Sequence, residues 1–81
     1  MKSRNVLGPR ICLIRKEKGI TQDQLAARLN IQGINIDRPM VSKIETQNRE
    51  LLDYEIVRIA TALDISIDEL FNGCALNIST D

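Results

Sequence analysis

Histidine is absent from this chain, and that alone removes the commonest general base and the commonest metal ligand. Two cysteines, Cys12 and Cys74, stand far apart with no CxxC neighbour, so they read as reduced thiols, with no metal site expected. Aromatics are limited to Tyr54 and Phe71, which leaves any core to aliphatic side chains. No glycine-rich phosphate loop and no carboxylate cluster at ligand spacing is present; no catalytic residue and no cofactor are expected. No apolar run is long enough to cross a membrane, and the opening MKSRNVLG lacks the apolar stretch of a signal peptide. A cytoplasmic protein without a membrane partner is the expectation.

What is present is 81 residues, enough for one domain with a single modest core, rich in Ile, Leu, Val and Ala. We read residues 1–81 as that domain, with a core over about 7–72 and a fraying tail over 73–81. Formal charge is zero, but its distribution is not even. Residues 1–49 hold ten basic against four acidic side chains, a balance of +6, and residues 50–81 hold one against seven, a balance of −6. Such asymmetry suggests one side facing a polyanion and one turned away from it.

Five helices follow from pattern and punctuation. The first ends before Gly19, buries Leu7, Ile11 and Ile14, and carries Pro9 in its opening turn; its start at Asn5 or Gly8 stays open. The second opens on Thr21 with Gln24 as capping-box partner, Ile20 stapling onto Leu25, and Leu25 and Leu29 inward. A connection over 30–37 is expected to tuck Ile31, Ile34 and Ile36 against the core. Asp37 caps the third helix, in which Val41 and Ile44 face in and Arg38, Pro39, Ser42 and Lys43 face out. After the loop QNRELL, Asp53 is expected to cap a fourth helix with Ile56, Ile59, Ala60 and Leu63 inward. Ser66 and Glu69 open a fifth, with Ile67, Leu70 and Phe71 as its apolar set and Asn72 and Gly73 as its stop.

RKEKGITQDQLAARL, then VSKIE, then DYEIVRIATALDISIDELF, resembles the lambda-repressor-like (Cro/repressor or XRE type) helix-turn-helix family over about residues 7–72. The resemblance implies an all-α, five-helix domain that binds double-stranded DNA and regulates transcription, with helix three in the major groove and helix two across the phosphate backbone. It implies that Gln22 grips a phosphate and braces the recognition helix. Arg38, Pro39, Ser42 and Lys43 fall at base-reading positions, and Asn48 and Arg49 in the loop that follows the DNA backbone. Arg15 and Glu45 match a structural ion pair between helices one and three. The connection between helices two and three is longer than the family's usual one, and Pro39 stands where a polar base-reading residue is common.

A module this small reads few base pairs, so a homodimer is expected, with half-sites about 34 Å apart. Leu70, Phe71 and Leu76 are its candidate contact. The alternative is a protein-binding or antitoxin-like module on the same fold, for which neutral charge, Pro39 and the apolar connection argue.

Overall fold

A computed structural model describes residues 3–72. Among them are five helices and no strand: α1 (Gly8–Glu17), α2 (Gln22–Ile31), α3 (Arg38–Glu45), α4 (Asp53–Ala62) and α5 (Ile67–Phe71). No helix among the described residues is long and apolar enough to cross a membrane. The apolar stripes of the helices meet in one aliphatic cluster. Leu7, Ile11, Leu25, Leu29, Val41, Ile59, Leu63 and Leu70 are its most deeply buried side chains, each worth about 1.5–3 kcal/mol on burial.

Local chemistry explains most of the boundaries. The α2 capping box is complete: the Gln24 N–H donates to Thr21 Oγ1 at 3.0 Å and the Thr21 N–H to Gln24 Oε1 at 2.8 Å. Ser66 and Glu69 repeat it for α5 at 3.0 and 3.2 Å. Asp37 Oδ1 accepts the Met40 N–H at 3.0 Å and starts α3. The first helix begins at Gly8 because the Asn5 carboxamide oxygen accepts the Gly8 N–H at 2.6 Å, so that Asn5 stands outside the helix as an accepting turn residue.

Three expectations are corrected. Asp53 is not the α4 cap. Leu52 occupies that position in extended conformation and its N–H donates to Glu55 Oε1 at 3.0 Å, while Asp53 Oδ1 accepts from the adjacent Tyr54 N–H. Glu55 can serve the helix start because Arg49 holds its carboxylate in place. Ile31 is not tucked inward but 86% exposed. Because α2 continues to Ile31, that side chain follows the helical rotation away from the Leu25–Leu29 stripe. Leu70 is fully buried and so offers no free surface for a second copy; Phe71 is partly buried against the core, and Leu76 lies outside the described residues.

The rest of the α2–α3 connection is held down from both ends. Ile34 and Ile36 are buried, and the Asn30 carboxamide donates to the carbonyls of Ile34 and Ile36 at 2.8 and 2.9 Å. Gly33 at φ 87° makes the reversal that follows α2.

Candidate nucleic-acid interface

The candidate interface is built on α3, whose apolar edge of Val41 and Ile44 is buried against α1 and α2. Its remaining circumference is polar and outward. At about 3.6 residues per turn, Pro39 and Thr46 lie at the centre of the outward face. Arg38 and Ser42 form one flank and Met40 and Lys43 the other. Arg38, Pro39 and Lys43 are exposed, Ser42 half-buried.

Behind this face lies a charged network. Arg15 grips Glu45 with two parallel bonds, Nε to Oε2 at 2.6 Å and Nη2 to Oε1 at 3.0 Å, and a third donor, Nη1, reaches the Ile20 carbonyl at 2.8 Å. Both side chains are buried, tying α1 to α3. Burial by itself pushes the Glu45 carboxyl up. The hydrogen bonds from Arg15 and Gln22 and the Arg15 charge outweigh it and hold the group below its ordinary range. Arg15 is raised correspondingly, chiefly by its bond to Glu45. The expected structural pair is therefore present, and Gln22 joins it, with Nε2 donating to Glu45 Oε1 at 3.0 Å.

This places Gln22 and Arg38 on the wall of one open groove, with Lys16 and Thr21 beside them. Lys43, Asn48 and Arg49 line a second groove on the other flank of α3. The structure does not leave all of these groups equally available. Asn48 is exposed and its carboxamide donates to Thr46 Oγ1 at 3.0 Å. Arg49 is committed to Glu55 by Nη1–Oε1 and Nη2–Oε2 bonds of 3.1 and 3.0 Å. The Arg49 bond holds the Glu55 carboxyl below its ordinary range against the upward push of burial, and the Leu52 N–H helps. Sequence reasoning missed Glu55 and Asn5, the residues that order the loop after α3. Glu55 was visible only as an acid in a first helical turn, and Asn5 only as a candidate start of the first helix.

The comparisons agree with this architecture. The sequence signature described as Helix-turn-helix matches residues 13–70. No curated protein matches the chain. Among solved structures, the restriction-modification controller protein C.AhdI from Aeromonas hydrophila is 35% identical, with 80% of this chain and 87% of that one covered at a TM-score of 0.71. A point mutant of the controller protein C.Esp1396I is 33% identical, with 88% and 86% covered at 0.74. The C.Esp1396I tetramer in complex with its natural 35 base-pair operator gives 31% identity, 82% and 91% coverage and 0.64. With the family signature spanning most of its length and controller proteins 31–35% identical to it where they align, over 80–88% of the chain, this chain belongs to the XRE-like, lambda-repressor-like helix-turn-helix family.

Proposed function

We propose that the protein is a sequence-specific, double-stranded-DNA-binding regulator of transcription that seats α3 in the major groove. The observation that carries this reading is the outward face of α3, with cations on both flanks and Gln22 braced behind one of them. The major groove is about 12 Å wide and admits one helix, and Arg or Lys there donates to guanine N7 and O6. Pro39 brings no donor to the centre of that face; its chemistry suits apolar contact with a thymine methyl. Arg38, Ser42 and Lys43 are the proposed polar readers, Gln22 and Asn48 the backbone contacts. Arg49, held by Glu55, contributes by ordering the loop. A non-catalytic role accords with this site, and the operator complex of C.Esp1396I supports it.

A homodimer is the proposed binding unit. With Leu70 in the core, the twofold contact moves to the start of α4, where Leu52, Tyr54 and Val57 are each about half exposed at 50%, 54% and 51%. Tyr54 and Val57 share a helical face.

Selection of bound duplexes from a random pool tests the whole reading, since a palindromic result with half-sites about 34 Å apart reports binding, symmetry and spacing together. Affinity should fall steeply as salt rises, and the double variant Arg38→Ala/Lys43→Ala should lose both affinity and sequence preference. A protein-directed module would bind no duplex even at low salt, which would overturn the proposal.

A further inference from the structure

Residues 3–7 precede the first helix, yet they are fastened to the far end of α3. The Arg4 N–H donates to the Gln47 carbonyl at 3.0 Å, and the Gln47 carboxamide donates back to the Asn5 carbonyl at 2.9 Å. The Asn5 carboxamide donates to the carbonyls of Ile44 and Arg49 at 3.1 and 2.8 Å while its oxygen accepts from Gly8. Gln47 sits at φ 65°, the turn that brings the chain out of α3 and into this clamp. A segment ordered in this way in the free protein has little conformational entropy left to lose on binding.

The clamp delivers the exposed Arg4 to the groove on the Lys43 flank of α3, lined also by Asn48, Arg49, Glu50 and Glu55. The charges of Arg49 and Glu55 satisfy each other. What the groove then offers a ligand is Arg4 and Lys43, with Glu50 the one opposing acid. Gln22 and Arg38 lie on the opposite flank. A helix about 10–12 Å across, seated in a groove of about 12 Å, has a phosphate backbone close to each flank.

We infer that Arg4 is a phosphate-binding residue: the clamped segment 3–7 grips the phosphodiester strand on the Lys43 side of α3, opposite the strand that faces Gln22 and Arg38. This rests on the placement of α3 proposed above. It enlarges the anion-facing surface beyond the helix-turn-helix itself to an element whose contribution is charge without base recognition.

The test is a salt series on the full chain with two probes, a duplex recovered by selection with the parent protein and a mixed-sequence duplex. In Arg4→Ala the slope of log K against log salt should shrink by about one, and both duplexes should weaken by the same factor. Arg4→Lys should restore the slope, Glu50→Gln should tighten binding, and Arg58→Ala, an exposed cation removed from α4, should leave the slope unchanged. Parent binding to neither duplex at low salt overturns the placement of α3 and this inference with it. Parent binding with Arg4→Ala matching the parent, or matching Arg58→Ala, overturns the Arg4 assignment alone. So does a change confined to the selected duplex, which would make Arg4 a base reader.

Discussion

Gln22 donates through Nε2 to Oε1 of Glu45 at 3.0 Å, and the same oxygen accepts Nη2 of Arg15 at 3.0 Å. One carboxylate thus fixes the start of α2 and the end of α1 to the last turn of α3. The two helices of the motif are tied together by a charged hydrogen-bond network as well as by aliphatic packing. Because Gln22 also walls the groove beside Arg38, a change at this carboxylate should be felt both in the fold and at the interface.

Gln22→Glu separates the network's hydrogen bonding from its size. It replaces a donor with a second carboxylate against Glu45, and at neutral pH it should destabilise the fold by about 1–3 kcal/mol, the scale of a hydrogen bond lost from a charged group. Two facing carboxyls raise the pKa of one of them, so its protonation at lower pH relieves the repulsion. The gap between parent and variant in urea midpoint should narrow as pH falls from 7 to 4. A gap that stays constant would show that the Gln22–Glu45 bond is not formed in solution.

Removing one member of the Arg15–Glu45 pair should cost far more than removing both. Glu45→Ala leaves a buried guanidinium without its carboxylate, a change worth about 3–5 kcal/mol, which is a large share of the total for a small domain. The combined Arg15→Met/Glu45→Leu variant should recover most of that loss, since apolar groups of similar volume replace buried ion pairs at little cost. Chemical denaturation of Arg15→Met, Glu45→Leu and the double closes the cycle. Additive losses would mean that the two side chains do not interact.

Locally encoded features were legible in the sequence. The Thr21–Gln24 and Ser66–Glu69 boxes and the Asp37 cap each join residues three apart, and each stands where the pattern places it. The order of the helices and their buried stripes followed from periodicity for the same reason. What was not legible depended on contacts made across the chain. Asn5 reaches Ile44 and Arg49 from 39 and 44 residues away, and no spacing marks such a clamp. Asp53 had the chemistry of a cap, but Arg49 holds Glu55 at the helix start and moves the boundary to Leu52. The apolar set of α5 does not say whether Leu70 faces a second copy or the core, and the packing of α5 on α1 and α4 buries it. At the interface, the residue types of α3 were readable, but the commitment of Arg49 to an ion pair was not.

Acid should weaken the fold through Glu45 and Glu55. Both carboxyls lie below their ordinary value of 4.5 in the folded protein, so on acidification the unfolded chain takes up their protons first. Their contribution is fully present above that value and is lost as pH falls through the lowered folded values. Glu55→Gln keeps an oxygen for the Leu52 N–H and removes the charge paired with Arg49. It should lower stability at pH 7 by about 1–3 kcal/mol and flatten the decline between pH 5 and 3. Urea midpoints across that range measure both effects, and a variant whose decline is as steep as the parent's would exclude Glu55 as a contributor.

At Gly8 the start of α1 lies against the end of α3. A Cβ built there would stand 2.3 Å from the Ile44 carbonyl oxygen and 2.8 Å from that of Glu45, both backbone atoms at the end of α3 and unable to swing aside. Gly8→Ala should therefore push the two helices apart, at a cost of about 1–3 kcal/mol in the manner of an overpacked core. It should also loosen the Asn5 clamp, since the Gly8 N–H is the group that Asn5 Oδ1 accepts. Gly33→Ala provides the contrast. A Cβ at Gly33 meets nothing within 4 Å, but its φ of 87° strains any residue with a side chain. That strain is local, so Gly33→Ala should lower the melting temperature while leaving hydrogen exchange at residues 4–8 and 44–49 unchanged, whereas Gly8→Ala should accelerate exchange there. Equal protection of those amides in both variants would mean that the α1–α3 approach at Gly8 leaves room for a methyl group.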